Sequence, residues 1–163
     1  MNTNKKVLVA YFSCTETTKA LAESLVDITK ADIFEIRPEI PYTAADLNWE
    51  DKKSRSTIEM NDKTSRPAIA GKVPNMDEYD VVFLGFPIWW YVAPTIINTF
   101  LESYDFSGKT IVPFCTSGSS GLGNTEEKLH ALCPDSVVWR HGKRFSGNVS
   151  KDELTKWVEG LDL

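Results

Sequence analysis

Three stretches of this chain are apolar, the third after an opening threonine: residues 7–12 (VLVAYF), 81–86 (VVFLGF) and 110–115 (TIVPFC). A strand with one wet face alternates apolar and polar side chains. A continuous run of this length belongs to a strand covered on both faces, as in a parallel sheet with helices above and below. Between the runs the apolar period changes to that of a helix. Leu21, Leu25 and Ile28 fall on one helical face, with Lys19, Glu23 and Lys30 elsewhere. Pro94 opens a second helix striped by Ile97, Phe100, Leu101 and Tyr104, and a third carries Leu129, Leu132 and Cys133. Leu154, Trp157, Val158 and Leu161 stripe the last.

Two weaker strands complete the pattern. Residues 33–36 carry polar interruptions suited to a sheet edge and stop before Pro38 and Pro41, and residues 136–139 form the last strand. Pro113 conflicts with its own run, because a central strand loses a ladder bond at a proline. Residues 38–80 are polar and weakly periodic, with a helix expected somewhere within residues 44–60, and so long a gap in a compact domain reads as a covering or functional excursion. At 163 residues one domain suffices. Alternating strands and helices give an α/β fold: a doubly wound, five-stranded parallel sheet of order 2-1-3-4-5 with helices on both faces. Ligands of such sheets bind at the carboxyl ends of the first, third and fourth strands, where the strand order reverses.

All three unusual loops sit at those ends. After the first run comes Ser13-Cys14-Thr15-Glu16-Thr17-Thr18, four hydroxyl residues in six positions leading into a helix. An N-cap explains one of them. Several, together with the free N–H groups and positive dipole end of the helix, suit a phosphate. The loop lacks the lysine of a nucleotide-hydrolysing GxxxxGK[ST] loop, so it is built to hold a phosphate ester and not to transfer it. After the third strand come Pro87, Ile88, Trp89, Trp90 and Tyr91, whose rings offer flat faces to a planar heteroaromatic ligand; core packing or an interface is the alternative. After the fourth come Thr116, Ser117, Gly118, Gly121 and Gly123, where backbone N–H groups can approach a ligand closely.

A net charge of −5 and no basic block argue against nucleic acid and anionic membranes as partners. Cys14, Cys115 and Cys133 are an odd count without CxxC spacing, which argues against a disulfide framework and a zinc site and suits a reducing, cytoplasmic setting. His130 and His141 stand alone, and no metal site is expected.

In Tyr11-Phe12-Ser13-Cys14-Thr15, in Gly85-Phe86-Pro87-Ile88-Trp89-Trp90, and in Thr99-Phe100-Leu101-Glu102 through Pro113-Phe114-Cys115-Thr116-Ser117-Gly118, the chain resembles the flavodoxin family, in particular its short flavodoxin-like branch. The resemblance covers nearly the whole chain. It implies FMN, with the phosphate on Ser13, Thr15, Thr17 and Thr18 and the isoalloxazine between the aromatic and glycine loops. Glu16 departs from it, since the family's loop usually has glycine there; its carboxylate must face away from a phosphate, or affinity suffers. Tyr91 also departs, standing where relatives have a small residue.

Two redox roles follow from the resemblance. One is a low-potential electron carrier between protein partners with basic docking faces. The other is an NAD(P)H-dependent reductase of quinone, nitro or azo compounds, with residues 38–80 as roof. A non-redox phosphoester-binding domain is the third reading. A monomer or weak homodimer is expected, and no side chain is assigned a catalytic role.

Overall fold

The computed structural model of the chain describes residues 5–13, 16–48, 50–62, 64–88, 93–116, 125–145 and 149–161. The three apolar runs form strands β1 (Val7–Tyr11), β5 (Val81–Pro87) and β6 (Thr110–Thr116), and they are neighbours in one parallel sheet. Every residue of β1 and β6 is buried, as is all of β5 except Pro87. With β2 (Asp32–Glu35) and β7 (Val138–Trp139) the order is β2-β1-β5-β6-β7, the doubly wound arrangement read from the sequence.

Alternate side chains divide the core in two. Leu8, Ala10, Phe12, Val82, Leu84 and Phe86 face one way, against Ile96, Ile97, Phe100 and Leu101 of α3 (Thr95–Glu102) and Leu129 of α4 (Thr125–His130). Val7, Val9, Tyr11, Val81, Phe83, Val112 and Phe114 face the other, against Leu21, Ala22 and Leu25 of α1 (Glu16–Thr29) and Leu154 and Val158 of α5 (Lys151–Gly160). A continuous apolar strand is thus two alternating faces, each with its own helical layer.

The fifth strand departs from expectation. Only Val138–Trp139 of residues 136–139 is strand, and a second piece, β8 (Lys143–Phe145), pairs with the same edge of β6 further along. The two pieces flank Pro113. Lys109 and Ile111 accept from Val138 N–H and Arg140 N–H, so odd-numbered residues of β6 turn their backbone groups toward this edge. Pro113 is the next of them and has no N–H to give, and the edge strand breaks opposite it. Its side toward β5 stays in register throughout. The conflict between proline and buried strand is resolved by breaking the neighbour.

The excursion also has structure that periodicity missed. Arg37–Pro38 (β3) pairs antiparallel with Ile69–Ala70 (β4), and the helix expected within residues 44–60 is short, α2 (Arg55–Asn61). Three helices are shorter than their stripes. Tyr104 follows the end of α3, Leu132 and Cys133 lie beyond α4, and Leu161 is the C-cap of α5. All four still pack on the core.

Candidate functional site

β1, β5 and β6 are neighbours and end at the same side of the sheet. Tyr11 is in register with Gly85, and Phe12 N–H donates to the Gly85 carbonyl at 2.9 Å, so β1 and β5 stop side by side. Pro87 is in register with Thr116, and Ile88 N–H donates to the Thr116 carbonyl at 3.1 Å. The parallel ladder therefore brings Ser13, the start of α1, Pro87, Ile88 and Thr116 to one end of the sheet. Among the expected site residues, Ser13, Glu16, Thr17, Thr18, Pro87, Ile88 and Thr116 are described; Cys14, Thr15, Trp89, Trp90, Tyr91, Ser117, Gly118, Gly121 and Gly123 lie outside the described residues.

Ser13 is half-buried and Thr17 exposed at the N-terminus of α1, a helix long enough to present a positive dipole end. Thr18 differs. It is 1 % exposed, on the inner face of α1 with Leu21, Ala22 and Leu25, and its Oγ1 lies 2.8 Å from Thr116 Oγ1. Either hydroxyl can donate. This contact joins residues 98 positions apart and ties the hydroxyl loop's helix to the strand that launches the glycine loop.

Glu16 points outward. Its side chain is 90 % exposed, and its Oε2 lies 3.9 Å from Lys19 Nζ. Glu16 begins α1, and the one non-glycine residue with positive φ among the described residues is Lys30, at the far end of that helix, so no left-handed turn is imposed on Glu16. Tyr11, ending β1 on the α1 face, has its phenol pushed up to about 12, first by burial and then by Glu35, Glu23 and Glu16.

The excursion touches this end of the sheet. Tyr42 packs edge-on against Phe12, ring centroids 5.8 Å apart. Its hydroxyl donates to Glu59 of α2, and the Arg55 guanidinium stacks on its ring at 3.9 Å while donating through Nε to Glu59 at 3.0 Å. Sequence reasoning singled out none of these three residues. The available signal was Arg55 and Glu59 at i, i+4 on a helix.

Around the glycine loop, Thr125 at the start of α4 is buried, and Glu126 accepts from Gly142 N–H at the break in the fifth strand. Cys115 is fully buried and its thiol pushed up to about 12, mainly by burial, which makes it an inert core residue. His130 stacks on Trp139 at 4.4 Å, and His141 is fully exposed near Glu126. Among the described residues no cluster could hold a metal, and no helix is long and apolar enough to cross a membrane.

Comparison with solved structures agrees with this architecture. A protein from Bacteroides eggerthii assigned as a flavoprotein is 46 % identical, with a TM-score of 0.92 over 98 % of this chain and 99 % of that one. Its counterpart from Bacteroides uniformis is also 46 % identical, with a TM-score of 0.90 over 96 % and 99 %. A flavoprotein from Lactobacillus acidophilus, solved in complex with FMN, shares the fold at 21 % identity, with a TM-score of 0.69 over 94 % and 99 %. No curated protein matches significantly. The flavodoxin family model matches residues 6–161, from the residue before β1 to the C-cap of α5, so the same stretch of sequence that builds the sheet and its two helical layers places this chain in the flavodoxin family.

Proposed function

We propose that the chain binds FMN at the carboxyl ends of β1, β5 and β6 and works as an electron carrier between protein partners. The observation that carries the reading is that β1, β5 and β6, the strands from which the three loops leave, are neighbours ending at one side of the sheet, with Thr18 of α1 bonded to Thr116 at the end of β6. The donors present fit a phosphate monoester. Ser13 and Thr17 stand at the positive end of a fourteen-residue helix, and the one carboxylate among the described cradle residues, Glu16, is turned to solvent. The aromatic residues Trp89, Trp90 and Tyr91 and the glycine loop, by their place in the sequence, flank the ring. When bound, FMN supplies reversible one- and two-electron transfer; the protein supplies binding, orientation and exclusion of water.

An acidic chain with a net charge of −5 favours partners with basic docking faces, through steering that weakens with salt. A second reading, an NAD(P)H-dependent reductase of quinone, nitro or azo compounds, is favoured by one observation: residues 38–80 are fastened through Tyr42 onto Phe12, beside the site end, where they could roof a pocket. The cytoplasm is the proposed setting. An absorption spectrum taken before and after titration with FMN tests the cofactor, and a colourless protein that takes up no FMN would end the flavin reading in favour of a non-redox phosphoester-binding domain. Steady NADPH or NADH oxidation with a quinone by the loaded protein would replace the carrier with the reductase.

A further inference from the structure

We propose that Thr18 and Thr116 are positioning residues that lock the two walls of the site together, and that neither hydroxyl contacts the ligand. The inference rests on the FMN reading and changes what two of its residues do. A hydroxyl in a phosphate loop invites assignment to the phosphate. Thr18, however, is 1 % exposed and lies on the face of α1 that covers the sheet, and its Oγ1 is already bonded at 2.8 Å to Thr116, itself 7 % exposed.

Thr116 is the junction of all three loops. Its carbonyl accepts from Ile88 N–H, which begins the aromatic loop; its hydroxyl holds Thr18 of the helix that follows the hydroxyl loop; and its own chain continues into the glycine loop. It is also in register with Pro87 on one side and Phe145 on the other. The hydroxyl pair fixes how far the start of α1 stands from the end of β6.

Valine matches threonine in shape, so Thr18→Val and Thr116→Val each remove one hydroxyl and leave its partner buried without a bond, which is the costly half of a broken pair. The double variant replaces both by apolar groups of the same shape, a change that can be nearly neutral. Titration of the full chain with FMN and with riboflavin, which has the ring but no phosphate, separates the possibilities. The expected result is that each single variant weakens both flavins by the same factor, about tenfold. Thr116→Ser, which keeps the hydroxyl, restores parental binding, and the double variant binds no worse than the weaker single one.

Losses confined to FMN, or losses that multiply in the double variant, would mean that the hydroxyls contact the phosphate independently and would overturn the proposal. So would unchanged binding in both single variants. Thermal unfolding of each variant establishes that it is folded, and Thr116→Ser together with the double variant keeps the test decisive if a single valine variant is not. A parental protein that takes up neither flavin overturns the FMN reading itself, an outcome distinct from parental binding that is insensitive to the pair.

Discussion

At Gly85 a single methyl group would be costly to this fold. A Cβ there would stand 2.2 Å from Phe114 Cζ, in the strand paired with it, and Phe114 is fully buried in the core against the α1 and α5 layer. Gly85→Ala should therefore destabilise the protein by about 2 kcal/mol or more, read as a lower urea midpoint at unchanged slope. Lys30 is the opposite case. It ends α1 in the left-handed region, φ 59°, with its N–H bonded to the Val26 carbonyl, a position suited to glycine. Lys30→Gly should stabilise by about 1 kcal/mol in the same measurement. Glu16 was the residue of the cradle that least suited its ligand, and its outward carboxylate answers the objection. With that side chain 90 % exposed, Glu16→Gln should leave FMN affinity within about twofold, and a tighter complex beyond that would mean that the carboxylate does reach the phosphate.

At the scale of elements, the excursion of residues 38–80 is densely tied at its C-terminal end, where Val73, Met76 and Tyr79 enter the core and Lys6 pairs with Glu78, and more locally elsewhere. Arg66 bonds Glu102 at 2.6 Å, Val73 N–H donates to the Tyr104 hydroxyl, β3 pairs with β4, and Tyr42 sits on Phe12 under the Arg55–Glu59 pair. Tyr42→Phe keeps the ring and removes the bond to a charged, largely buried acceptor. It should cost about 1.5 kcal/mol, seen as faster proteolysis or amide exchange within residues 38–62 ahead of the sheet. The sequence and the structure agree best where burial is two-sided. Three continuous apolar runs dictated the parallel sheet, and their order dictated which loops would meet. Agreement ended where local pattern stopped deciding structure. Lys143-Arg144-Phe145 has no apolar run to mark it as a strand, yet it pairs because β6 offers an edge beyond Pro113. In the same way nothing in the sequence shows that Thr116 comes within 2.8 Å of Thr18.

For the molecule as a whole, the groups held away from their ordinary pKa set the pH range of stability, and burial decides which of them count. Glu102 is held low, first by its hydrogen bond from Arg66; Asp105 by Ser107 and Asp62 by Thr64. A depressed carboxyl adds stability above its unfolded pKa and loses it as pH falls through its folded value. These three are exposed or nearly so, and solvent screens them, so the acid limb should be shallow. The alkaline limb is different. Burial pushes Cys115 from 9.0 to about 12, Cys133 from 9.0 to about 11 and Tyr11 from 10.0 to about 12. Above about pH 9 the unfolded thiols give up protons that the folded ones keep. The unfolded state then binds fewer protons, and stability falls as pH rises, by up to about 1.4 kcal/mol per pH unit for each group. Cys115→Ala should lower stability at neutral pH through the cavity it leaves but flatten the fall between about pH 9 and pH 11 by about one proton's worth of slope. Urea midpoints across that range give the slope directly, and a variant as steep as its parent would show that Cys115 ionises in the folded core as readily as in the open chain.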